Sequence, residues 1–154
     1  MVVKEIEFNG YVLSSDRSRI DTQYVHRYLS DQSYWARGVP LKVVTASIQN
    51  SFCAGVYKDY HQVGFGRLVT DYATFGYLAD VFIDESHRGR QLGKQLVAFI
   101  LAPQITSGFR RLMLGTRDAH DLYTKYGFAL LKNPQSFMEI HRPDIYKKTS
   151  IENG

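Results

Sequence analysis

Apolar residues recur at two different periods along the chain, and the switches between them outline its elements. Behind Asp21, a residue type that caps helix starts, Val25, Tyr28 and Leu29 share one face and predict a helix. Pro40 suits the first turn of a second helix, with Leu41, Val44 and Ile48 at helical spacing. Between them, Tyr34-Trp35-Ala36-Arg37-Gly38-Val39 has no period and predicts a loop. Residues 10–14 (GYVLS) read as a strand, with another before them at 2–8. Three more strands follow at roughly 51–57, 62–71 and 75–83, turning at Lys58-Asp59 and Tyr72-Ala73-Thr74. A glycine turn at 88–90 opens a helix at about 91–102 that buries Leu92, Leu96, Phe99 and Ile100. A strand at 110–115, a helix at about 118–126 and strands at 127–131 and 136–141 complete the order. That alternation predicts an α/β (α+β) fold.

Composition narrows the picture. The 154 residues predict one domain over 1–154, and 44% hydrophobic residues with 22% charged ones exclude a disordered chain. No apolar run approaches a membrane span, and the charged start (Lys4, Glu5, Glu7, Asp16) does not read as a secretory signal. A lone cysteine, Cys53, excludes a disulfide framework and paired-cysteine zinc sites, and points to a cytoplasmic address. Cys53 lies in an apolar strand and reads as core. The five histidines form no H-x-x-x-H pair, so no metal site is expected. The net charge of +4 suits an anionic small ligand; it is small for a nucleic-acid surface built on Arg88, Arg90, Arg110, Arg111 and Arg117.

The chemically informative stretch runs from Leu78 to Lys94, a strand that feeds a short loop, a glycine turn and a helix start. A helix N-terminus presents unpaired N–H groups and the positive end of its dipole, so it binds phosphate. Gly89 and Gly93 permit close approach, and Arg88, Arg90 and Lys94 add charge. A diphosphate would be held by amides from about 89 to 94. The spacing is neither G-x-G-x-x-G nor a P-loop.

Arg88-Gly89-Arg90-Gln91-Leu92-Gly93 resembles the Q/R-x-x-G-x-G/A signature of the GNAT N-acetyltransferases, and Leu122-Tyr123-Thr124-Lys125-Tyr126-Gly127-Phe128 is similar to that family's L-Y-x-x-x-G-F. The resemblance implies a mixed, mostly antiparallel sheet of about seven strands flanked by four helices. The sheet would splay between the strand at 75–83 and that at 110–115, the family's strands 4 and 5. It also implies acetyl-CoA as the acyl donor. The pantetheine would lie in the splay and pair with backbone at Val81 and Ile83. The diphosphate would sit on Arg88, Gly89, Arg90, Gln91, Leu92, Gly93 and Lys94, and Thr116, His120 and Tyr126 would lie along the cofactor wall. Gln91 departs from the signature's first glycine, and Thr116 stands where many relatives have asparagine.

Acetyl transfer needs a neutral amine, a stabilised oxyanion and a proton for the departing thiolate. Tyr123, in the matching family position, is the candidate acid. The oxyanion donor would be the N–H of Val81 or Phe82. Some polyamine-acetylating relatives carry an acid where this chain has Ala79. Asp80 is adjacent and becomes the candidate base or amine-binding group, although strict alternation turns it away unless a bulge intervenes. His120, one turn before Tyr123, is another candidate base. The resemblance places the acceptor, a small-molecule or protein amine, against Tyr34, Trp35, Arg37, Asp71, Tyr72 and Thr74. A cationic amine near Asp71 and a flat apolar acceptor both fit. A non-catalytic acyl-CoA sensor is the alternative function. Edge strands near the C-terminus would allow a homodimer, and no nucleic-acid or membrane partner is expected.

Overall fold

The computed structural model describes residues 2–147. Six strands form one sheet in sequence order: β1 (Glu5–Phe8), β2 (Tyr11–Ser14), β3 (Phe52–Lys58), β4 (His61–Thr70), β5 (Phe75–Ile83) and β6 (Arg111–Leu114). All neighbours pair antiparallel except β5 and β6, which are parallel. The helices are α1 (Thr22–Asp31), α2 (Leu41–Gln49), α3 (Leu92–Ile100), the single turn α4 (Pro103–Thr106) and α5 (His120–Thr124).

The two early helices start and turn inward as their patterns predict. The Asp21 carboxylate accepts from the Tyr24 N–H, and Val25, Tyr28 and Leu29 are buried. With Val44 and Ile48 of α2 they cover Cys53, Phe65 and Phe82 on one sheet face. Tyr28 and Phe82 stack face to face, 3.7 Å between ring centres. On the opposite face α3 buries Leu92, Leu96, Val97, Phe99 and Ile100 against Leu13, Ala54, Val56, Leu68 and Leu78. The helix expected at 91–102 ends at Ile100, and Pro103 opens a separate turn. The helix expected at 118–126 is shorter, at 120–124. No helix among the described residues is long and apolar enough to cross a membrane.

Two expected strands, 127–131 and 136–141, do not form, so the sheet has six strands where about seven were expected. Pro134 lacks an N–H and starts a 3₁₀ turn between them. Alternation there meets no covering surface: Leu130 is 83% and Met138 98% exposed. Without a partner strand the pattern alone does not make a ladder.

The sheet does splay where the fold requires it. β5 and β6 pair only from Phe75↔Arg111 to Leu78↔Leu114. Beyond Leu78, β5 runs on to Ile83 with β4 on one side and no strand on the other.

Candidate active site

A cleft of about 1030 Å³ opens at the splay. One wall is β5 from Tyr77 to Ile83; the other is Leu114 to Ala119 with Leu122 and Tyr123. Gly89, Gln91, Leu92 and Gly93 close one end, and Tyr34 and Trp35 stand at the other.

A bulge shapes the β5 wall. The register passes from Arg67↔Ala79 to Phe65↔Phe82, so Asp80 and Val81 together oppose Gly66. Asp80 takes a left-handed conformation, φ +54°. The extra residue breaks the alternation and swings the Asp80 carboxylate into the cleft. There one oxygen accepts from Arg67 Nε at 2.7 Å and the other from the Trp35 indole N–H at 2.8 Å. Arg67 also donates to Ser51 Oγ. Asp80 thus ties β4, β5 and the α1–α2 loop together.

The glycine turn carries a second left-handed residue. Gln91 sits at φ +68° as the N-cap of α3 and makes no side-chain cap bond. That is the position where the family signature has glycine, and the dihedral supplies the reason. Gln91→Gly is expected to stabilise the fold by up to about 1 kcal/mol, because a left-handed non-glycine residue costs about 1–2 kcal/mol, part of which returns as unfolded-state entropy. Thermal unfolding checks the sign. A Cβ built at Gly89 or Gly93 would meet nothing within 4 Å, so both border open space. The first amides of α3 face that space without intrahelical partners. An extended ligand could pair with the free edge at Ala79–Ile83 and set a phosphate on this helix end, so the donor set fits acetyl-CoA.

The expected site residues divide into three groups. Tyr34, Trp35, Asp80, Val81, Phe82, Ile83, Arg88, Gly89, Gln91, Leu92, Gly93, Thr116 and Tyr123 line the cleft. Among these Arg88 is turned back on the protein, Nε to the Ile83 carbonyl and Nη2 to the Tyr28 hydroxyl, which braces the loop. Thr116 Oγ1 accepts from the Ala119 N–H and shapes the approach to α5. A second group stands near but outside the lining: Arg90, Lys94, His120 and Tyr126. The Tyr126 hydroxyl donates to the Lys94 carbonyl and fastens the turn after α5 to α3.

Asp71, Tyr72 and Thr74 form the third group, and the structure puts them at the β4–β5 turn, away from the cleft. The Asp71 carboxylate accepts from the amides of Ala73, Thr74 and Phe75 and from the Thr74 hydroxyl. Those bonds, the Thr74 hydroxyl first, hold its pKa well below the usual carboxylate range. Asp71 therefore closes a turn and is spent on it. Cys53 is buried, and burial pushes its thiol up to about 12, which suits core.

Arg67 and Tyr77 also line the cleft and were not singled out from the sequence; Arg117, named there only for a nucleic-acid surface, lines it too. A lone arginine in the apolar strand around Arg67 was the available signal, since a charge there demands a partner. Arg117 lies 3.8 Å above the Tyr34 ring, and its N–H donates to the Tyr34 hydroxyl, so the α1–α2 loop meets the β6–α5 loop across the cleft mouth. Tyr123 packs edge-on to Phe128. Its hydroxyl has no protein hydrogen-bond partner among the described residues. Burial, with Tyr34 and Asp118 nearby, raises its pKa above the ordinary tyrosine value.

Comparison with known proteins agrees with this geometry. Residues 13–128 match the acetyltransferase (GNAT) family. A candidate acetyltransferase of Gibberella zeae is 30% identical over 135 residues, covering 75% of this chain and 76% of its own. The crystal structure of a candidate GNAT acetyltransferase from Xanthomonas campestris pv. campestris has 42% identity and a TM-score of 0.89, covering 92% of this chain and all of its own. A Clostridium acetobutylicum protein, crystallised with acetyl-CoA, shares the fold at 13% identity and a TM-score of 0.60, over 91% of this chain and 96% of its own. By motif, fold and sequence the chain belongs to the GNAT family of acetyltransferases.

Proposed function

We propose that the protein is an acetyl-CoA-dependent N-acetyltransferase that moves the acetyl group directly onto a primary amine of a small molecule or protein. The observation that carries this reading is the unpaired edge of β5 from Ala79 to Ile83, which leads into the uncapped start of α3 with Tyr123 across the gap. Acetyl-CoA supplies a thioester carbonyl open to attack and a sulfur that can leave.

The chain's own residues do the rest. The bulge takes Asp80 and Val81 out of the regular β4 ladder, and a main-chain N–H of Val81 or Phe82 serves where negative charge develops. Two donors occupy only part of the Asp80 carboxylate, whose remaining lone pairs hold the acceptor's ammonium and take its proton. The nitrogen–carbonyl bond forms, the carbon–sulfur bond breaks, and Tyr123 passes its proton to the sulfur; the second proton that the nitrogen sheds on becoming an amide restores Tyr123, and the one on Asp80 leaves to solvent. Ala79 lacks an acid, but the neighbouring Asp80 faces the cleft, which favours turnover over a silent sensor.

Two measurements test the reading together. Thiol release with an amine panel reports turnover; binding without release on any amine favours the sensor. Gly93→Glu should separate binding from folding, because the added side chain enters open space beside the helix start and brings a negative charge to it. Its acetyl-CoA affinity should fall about tenfold or more by charge repulsion and loss of close approach, while stability rises by about 0.5 kcal/mol, since an acid in place of glycine suits a helix's first turn. Calorimetry and thermal unfolding read the two signs.

We further propose a homodimer in the cytoplasm, where a single buried thiol stays reduced. From Ala129 to Asn133 no amide makes a backbone hydrogen bond among the described residues, Leu130, Met138 and Ile140 are exposed, and the segment meets the edge strand β6 where Arg111 lies over Phe137. Sedimentation should give twice the chain's 17.7 kDa, and Met138→Lys with Ile140→Lys should halve it.

A further inference from the structure

Resting on the reading of the cleft as an acetyltransferase site, we infer that the acceptor is a monoamine with an aromatic body, which lies along the uncovered strip of sheet beside Trp35 and Tyr77.

The strip follows from the register. Arg67 pairs with Ala79 and Val69 with Tyr77, so these four share one face of β4 and β5, and Phe75 follows two residues before Tyr77. Helices α1 and α2 cover that face only over Cys53, Phe65 and Phe82. Past Arg67 it lies open: Val69, Phe75 and Tyr77 are 39%, 37% and 39% exposed. Tyr77 lines the cleft as well, so the strip and the cleft are continuous. Its hydroxyl end reaches over Gly115, where a Cβ would come within 3.2 Å; glycine there makes room for the tyrosine to lie across the gap. Trp35, held to Asp80, and Tyr34, held to Arg117, stand at the same end.

Charge selects between the two acceptor types that the sequence allowed. Asp71 is committed to its own turn and lies outside the cleft. Asp80 is countered by Arg67, and at the mouth Arg117 offsets the charge of its neighbour Asp118, so the lining has no carboxylate in excess for a second ammonium. A polyamine would bring its second ammonium toward that guanidinium. An amine with one ammonium for Asp80 and a flat apolar remainder suits Trp35 and Tyr77.

The test compares kcat/KM for 2-phenylethylamine, propylamine and spermidine on the native protein and on Tyr77→Ala. Phenylethylamine should exceed propylamine by about tenfold or more, since burying a phenyl group is worth about that factor. Spermidine should do no better than propylamine, and Tyr77→Ala should shrink the aromatic preference severalfold through KM. A preference under twofold, or spermidine as the better acceptor, overturns the inference and leaves the acetyltransferase reading intact. No turnover of any amine, with acetyl-CoA bound, overturns both. If Tyr77→Ala halves the sedimenting mass and keeps the aromatic preference, the strip is a contact between copies and the inference falls.

Discussion

Tyr123→Phe is expected to lower kcat by about 10²–10⁴, the usual contribution of a positioned acid, while acetyl-CoA binding stays close to native. The substitution removes one oxygen and keeps the ring that packs against Phe128. The pH profile adds a check with a definite sign. An acid catalyst works while protonated. Burial, then the nearby Tyr34 and Asp118, raise the Tyr123 pKa above its ordinary value of 10.0, so the protonated form persists through neutral and mildly alkaline solution. Any alkaline fall in kcat from this group must have its midpoint above that value. A fall near pH 8 that Tyr123→Phe abolishes would contradict the burial described above. An unchanged kcat in the variant would remove Tyr123 from the proton transfer altogether.

The second large effect is on stability. Asp80→Ala should cost about 3 kcal/mol, the lower end for breaking a buried pair, because the Arg67 and Asp80 side chains keep 18% and 10% exposure. Three losses combine. Arg67 is left without its counter-charge, the Trp35 indole N–H loses its acceptor, and alanine must adopt φ +54°. Asp80→Asn should cost clearly less. Asparagine tolerates the left-handed conformation and keeps an oxygen for Trp35. It still lacks the charge that would hold an ammonium, so its KM for the acceptor should rise even where the fold survives. Urea unfolding of the two variants measures the difference. A loss below about 1 kcal/mol for Asp80→Ala would mean that water replaces the ion pair.

Much of this could be read from residue order because its causes are local. Asp21 caps α1 through a bond that spans three residues, and Leu92, Leu96, Phe99 and Ile100 mark α3 by period alone. The places of the glycine turn and of Tyr123 on the cleft wall were legible for the same reason, as each belongs to a short motif. Asp80 was only half legible. Its direction depends on a register shift against Gly66, thirteen or more residues away, and its partners come from β4 and the α1–α2 loop. The Asp71 turn misled in the opposite way: a carboxylate near aromatics resembled an amine site, yet four short-range bonds had already claimed it. At 127–141 the alternation was real but lacked anything to pair with in one chain, and periodicity reports a side-chain pattern without reporting the neighbour that a ladder needs.

The short seam between β5 and β6 has a thermodynamic corollary. Four rungs, from Phe75 to Leu78, are all that stitch the last part of the sheet to the first. A ligand lying in the gap would bridge both halves and act as an added thread. Ligand uptake and resistance to unfolding are then one linked equilibrium, worth about 2.7 kcal/mol at a hundredfold excess over the dissociation constant. The supply of acyl donor would then set what share of the chain stays folded.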